Sequence, residues 1–162
     1  MVGRIDKTRL AAHVNLHTVI DRRAPVAEHQ DGGGLVRLAD QFDNRALIVE
    51  DEIMVALDLE ETMIDLGFDS CGLAPSDRSA RSLAMTDQPD VVLMDVCLDG
   101  GREGIETARW LRQVCGASVV FVTANSDEGT LARIHEQVPG APVLSKPVYR
   151  KQLAEAVAEA IQ

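Results

Sequence analysis

Three carboxylates, a hydroxyl and an ammonium stand at the ends of short apolar runs in this sequence. Glu50 and Asp51 follow "ALIV", Asp95 follows "VVLM", Thr123 follows "VVFV", and Lys146 follows "VLS". In one crevice, three negative charges against one positive leave a formal −2. Like charges held close raise one another's pKa, so such a cluster implies a cation. Mg²⁺ brings the sum to zero and prefers hard oxygen ligands, often completed by a phosphate. Zinc is a poorer match, because no thiolate or imidazole pair is at hand and Cys97, two residues past Asp95, should alternate away. The Thr123 hydroxyl, the amide of Ala124 and the Lys146 ammonium could then hold an anion and stabilise charge on a transferred phosphoryl group. Ala124 leaves the approach uncrowded, and Asp95, backed by metal, is placed to attack phosphorus. A lone aspartate at a strand end is more often a cap or turn residue; four strand ends converging on one chemistry favour the functional reading.

The elements that must position these residues alternate in period. Strand-like runs occur at 46–49, 68–73, 91–94, 118–122 and 141–144. Between them lie helical stripes: Val55, Leu59, Met63 and Leu66; Ala80 and Leu83, after Ser76 as N-cap; Ile105, Ala108, Leu111 and Cys115; Leu131, Ile134 and Val138; Leu153, Val157 and Ala160. Short apolar strands alternating with amphipathic helices predict a parallel sheet covered on both faces. Sites in such sheets form beyond the carboxyl ends of the strands. The second strand, ending in "GLAPS", offers nothing chemical and reads as an edge. Trp110 falls off its helix's apolar stripe, which predicts partial exposure.

Composition narrows the function classes. The 162 residues are 46% hydrophobic and carry a net charge of −10 without a basic cluster, so direct nucleic-acid binding is not expected. Cys71, Cys97 and Cys115 show no Cys-x-x-Cys spacing, which argues for a reducing compartment. No apolar run approaches the roughly 20 residues of a membrane span, and no signal-peptide pattern opens the chain, so a cytoplasmic protein without membrane contact is expected. Residues 1–44 hold His13, His17 and His29 and the "DGGG" run at 31–34 and lack strand-like segments. They read as an N-terminal extension with a short helix near 5–20 and a glycine-rich linker, followed by one domain over 45–162.

The segments "ALIVEDE", "VVLMDVCLDGGREGIETA", "VVFVTANSD" and "VLSKP", in this order and spacing, resemble the signature segments of response regulator receiver domains of two-component signalling, across about residues 45–161. The resemblance implies a flavodoxin-like doubly wound (βα)5 parallel sheet of order 2-1-3-4-5, with Asp95 as phosphoacceptor. It makes Asp51 a Mg²⁺ ligand, Glu50 a direct or water-mediated one, and the Cys97 carbonyl the last protein ligand. Thr123 becomes the hydroxyl that meets the phosphoryl group, and Lys146 its counter-charge, before a Pro147 whose preceding bond is typically cis. It further implies a histidine kinase or phosphotransfer protein as donor, no enzymatic turnover beyond self-phosphorylation and dephosphorylation, and self-association through the fourth and fifth helices. Cys97 and Asn125 occupy positions that tune hydrolysis in the family. One position departs from the pattern: Val143 stands where an aromatic ring usually answers the threonine, and Tyr149, past Pro147, reads as a surface residue.

Four functions compete at this stage. With the last helix ending near Gln162, a stand-alone receiver signalling to an output protein is the leading expectation. A phosphorylation-independent adaptor is motivated by Val143, and a receiver fragment of a hybrid kinase by the "GGGLVRLAD" segment. An aspartyl-phosphate hydrolase would want a second aspartate where Cys97 stands.

Overall fold

The computed structural model describes residues 45–98, 101 and 103–162. The expected helix and linker of residues 1–44 lie outside the described residues. Five strands and five helices alternate: β1 (Arg45–Val49), α1 (Ile53–Asp65), β2 (Asp69–Ala74), α2 (Asp77–Asp87), β3 (Val91–Met94), α3 (Gly104–Val114), β4 (Ser118–Thr123), α4 (Glu128–Gln137), β5 (Val143–Ser145) and α5 (Arg150–Ile161). All neighbouring strands pair in parallel, in the order β2-β1-β3-β4-β5, which is the flavodoxin-like (βα)5 arrangement.

With right-handed connections, this order decides which face each helix covers. The crossover from β1 to β2 runs one way along the sheet, and the three later crossovers run the other. Right-handed connections therefore place α1 on one face and α2, α3 and α4 on the opposite face. The core divides accordingly. Leu47, Val92, Met94 and Phe121 pack with Ala80, Ala84, Ile105, Leu111 and Ile134. Ala46, Ile48, Val91, Leu93 and Val122 pack with Ala56, Leu59, Met63, Leu153 and Val157. Alternate residues of β3 feed the two clusters, as its run of four apolar residues requires of a strand buried on both faces.

Most stripes lie where their spacing put them, with three instructive displacements. The edge strand β2 starts one residue later than expected. Phe68 belongs to the turn leaving α1, where its N–H donates to the Met63 carbonyl at 3.0 Å and its ring is buried against the α1 face. Strand β5 starts two residues later, because Pro142 has no N–H for the ladder; only its carbonyl takes part, accepting from Phe121. On α4, Leu131 is 40% exposed and Thr130 is buried in its place. Asp127 caps the helix by accepting from the Thr130 N–H and Oγ1 at 3.0 and 2.7 Å, so this hydroxyl enters the interior already satisfied. Helix α2 begins as expected after Ser76, which exchanges hydrogen bonds with Ser79 in a capping box.

Candidate functional site

Strand register assembles the crevice. Val49 pairs with Met94, so Glu50 and Asp95 each stand one residue beyond adjacent strand ends. The ladder continues past both: the Asp95 N–H donates to the Val49 carbonyl and the Glu50 N–H to the Ala74 carbonyl, each at 2.9 Å. Thr123 pairs with Ser145 across β4 and β5, and the Lys146 N–H donates to the Thr123 carbonyl at 3.0 Å. The Lys146–Pro147 bond is cis, as the resemblance implied.

The side chains meet as the charge argument anticipated. Lys146 Nζ lies 2.6 Å from Asp95 Oδ2 and 2.5 Å from Glu50 Oε2. Asp95 Oδ1 accepts the Cys97 N–H at 3.1 Å, and Glu50 Oε1 accepts the Glu52 N–H at 3.2 Å. Carboxylate oxygens of Glu50, Asp51 and Asp95 all fall within 4.8 Å of one another, with Asp51 exposed and the other two buried. Thr123 is fully buried, and its Oγ1 accepts the Asn125 N–H at 3.1 Å. Ala124 is exposed beside it. Cys97 is half-buried and packs against the core under α2, α3 and α4.

Burial raises the Glu50 pKa most; the adjoining Lys146 ammonium and the Glu52 amide pull it back down, and the Asp95 charge adds to the rise. For Lys146, burial lowers the pKa, but the hydrogen bond to Asp95 and the charges of Asp95 and Glu50 outweigh it, leaving a net rise. One ammonium thus serves two buried carboxylates. Glu50 Oε2 is buried and accepts no directed hydrogen bond despite its ionic neighbour. A buried carboxylate oxygen with spare acceptor capacity, beside two further carboxylates and no soft ligand, fits a hard divalent cation.

Gly104, the first residue of α3, is a site element that sequence reasoning missed. A Cβ there would lie 1.9 Å from the Asp95 carbonyl oxygen and 2.9 Å from both the Asp95 carbonyl carbon and Val96 Cα. Only glycine lets α3 start this close to the Asp95 peptide. The sequence signal was a glycine opening an apolar helical stripe, hidden among others in "DGGREG". At the positions expected of an aromatic relay, Val143 is half-buried. Tyr149 is 68% exposed at the start of α5, the surface role read for it. No helix among the described residues is long and apolar enough to cross a membrane.

The chain is similar in sequence and fold to known proteins. The chain is 34% identical over 92 residues to the transcriptional regulatory protein PdtaR of Mycobacterium tuberculosis, covering 57% of this chain and 44% of that protein. It is 26% identical over 125 residues to the phyllosphere-induced regulator PhyR of Methylorubrum extorquens, covering 76% of this chain and 46% of that one. The match thus spans less than half the length of either curated relative. The crystal structure of the signal receiver domain of a modulated diguanylate cyclase from Desulfovibrio desulfuricans G20 superposes with a TM-score of 0.66 at 32% identity, over 72% of this chain and 92% of that one. With the family model of the response regulator receiver domain matching residues 46–158, the chain belongs to that family.

Proposed function

We propose that this protein is a phosphoacceptor receiver that takes a phosphoryl group onto Asp95 from a histidine kinase or phosphotransfer protein and signals by contact with another protein. The observation that carries the reading is the Asp95 carboxylate, held 2.6 Å from Lys146 within a cluster of three carboxylates at the strand ends. The names of the curated relatives, both regulators, support a signalling role.

In this reading Glu50, Asp51, Asp95 and the Cys97 carbonyl hold Mg²⁺, which supplies charge neutralisation for the phosphoryl oxygens when bound. A carboxylate oxygen of Asp95 attacks phosphorus, the P–N bond to the donor imidazole breaks, and the imidazole leaves with a proton. Lys146 holds the Asp95 carboxylate in place and balances charge on the acyl phosphate. The Thr123 hydroxyl and the Ala124 amide donate hydrogen bonds to the arriving phosphoryl oxygens. Later attack of water on phosphorus returns the carboxylate and inorganic phosphate, so the protein turns over only its own phosphate. The receiver unit runs from Arg45, in the cytoplasm where such donors act.

Intact-protein mass after incubation with phosphoramidate tests the reading. A Mg²⁺-dependent gain of one phosphate, absent from Asp95→Asn, is expected; equal gain in the variant would exclude Asp95 as acceptor. The half-buried Val143 favours one second reading, an adaptor whose partner affinity ignores phosphorylation, and binding that is unchanged by phosphoryl uptake would support it. Self-association through α4 and α5 would be excluded by sedimentation of the phosphorylated protein as a monomer at every concentration.

A further inference from the structure

The Asp95 peptide rests against the first turn of α3, because Gly104 leaves no room for a side chain between them and its N–H donates to the Val96 carbonyl at 3.2 Å. Where α3 begins therefore fixes where Asp95 sits. The helix has no cap of its own to set that beginning: Glu103, at the N-cap, makes no side-chain capping bond.

One turn along, Thr107 is fully buried, with Oγ1 2.5 Å from Asp77 Oδ1 and 2.9 Å from the Glu103 carbonyl oxygen. A hydroxyl has one hydrogen, and the nearer, charged acceptor takes it. Asp77 is the first residue of α2, whose start is fixed by the Ser76–Ser79 capping box and favours a carboxylate. The same Oδ1 accepts from Arg81 Nε at 2.7 Å, and the Arg81 guanidinium lies 4.7 Å over the ring of Trp110, back on α3. The connection is closed: α3 to α2 through Thr107 and Asp77, and α2 to α3 through Arg81 and Trp110.

We propose that Thr107, anchored by Asp77, is a positioning residue for Asp95, setting the start of α3 and through Gly104 the seat of the Asp95 peptide. The inference rests on Asp95 being the phosphoacceptor. Coupling between sites is reciprocal, so a ligand on Asp95 must in turn be felt at the α2–α3 clamp. Trp110, the chain's single tryptophan, lies within that clamp and reports it.

The test compares wild type, Thr107→Val, Thr107→Ser and Asp77→Ala. Three quantities are read: the rate of phosphoryl uptake from phosphoramidate by intact mass, the melting temperature, and the change in Trp110 emission on adding Mg²⁺ and beryllofluoride. Thr107→Val keeps the shape and loses the hydroxyl, and is expected to slow uptake about tenfold, as small misplacements of a reacting group do. Asp77→Ala, altered only at a half-exposed side chain, should slow it likewise. Thr107→Ser should restore both the rate and the Trp110 response. Uptake at the wild-type rate in Thr107→Val and Asp77→Ala well below their melting temperatures, or an undiminished Trp110 response in both, would overturn the inference alone. No uptake by the wild type would overturn the acceptor reading itself and the inference with it.

Discussion

Two polar clusters, each joining carboxylate to a basic side chain, behave oppositely. At the strand ends, Glu50 and Asp95 share one ammonium, Asp51 stands beside them, and Glu50 Oε2 is left without a directed hydrogen bond. Between α2 and α3, Asp77 is matched by Arg81 and Thr107, and Arg81 in turn by the Trp110 ring. The two buried carboxylates of the first cluster share a single ammonium, and burial makes that shortfall costly. The second is balanced internally. Excess capacity marks a place that receives something, and balance marks a place that holds elements together.

The largest break in that contrast is expected from Lys146→Ala. It would leave two buried carboxylates uncompensated and cost about 3 kcal/mol, as removal of one partner from a buried pair does. Added Mg²⁺ should return part of the loss, measured by urea denaturation. A loss unaffected by Mg²⁺ would count against a cation site. Gly104→Ala comes next, at about 2 kcal/mol, because the added methyl must displace the Asp95 peptide. Its signature is a fall in phosphoryl uptake at temperatures where the variant remains folded.

Glu50→Gln sharpens the comparison with the opposite sign. A carboxyl whose folded pKa lies above its ordinary value favours the fold below that ordinary value, and this contribution is lost as pH rises through the raised one. The variant should therefore melt higher than wild type at pH 7, with the gap closing as pH falls through the carboxylate range. A gap that is independent of pH would mean that the Glu50 charge is not the cause. The smallest effect belongs to the balanced cluster, where Arg81→Ala should cost about 0.5–1 kcal/mol from a partly exposed pair and a ring contact, measured by urea denaturation.

The charged cluster was legible in the sequence because its members lie within one or two residues of strand ends, and those ends are set by apolar runs. "VVLM" gave β3 at its observed limits, and with it the position of Asp95. Glu50, Thr123 and Lys146 followed by the same logic at β1, β4 and β5. The balanced cluster was not legible, because Asp77 and Thr107 are 30 residues apart and nothing local in either marks the other. Gly104 was visible as a residue but not as a contact, since the Asp95 peptide meets it only after the β3–α3 loop closes. Leu131 and Thr130 traded faces because Asp127 satisfied a hydroxyl that periodicity counts as polar. Periodicity reads solvent preference along one element, and contacts between elements escape it.

The bond from the Asp95 N–H to the Val49 carbonyl ties Asp95 to the central pair of strands, buried on both faces. Amides in such strands exchange with deuterium mainly through opening of the whole domain, whereas helix ends and loops exchange through local fraying. Proton exchange at Asp95 should therefore be among the slowest of the crevice residues. Its anchor therefore has the lifetime of the fold itself, and the aspartate keeps its place for as long as the sheet stays closed.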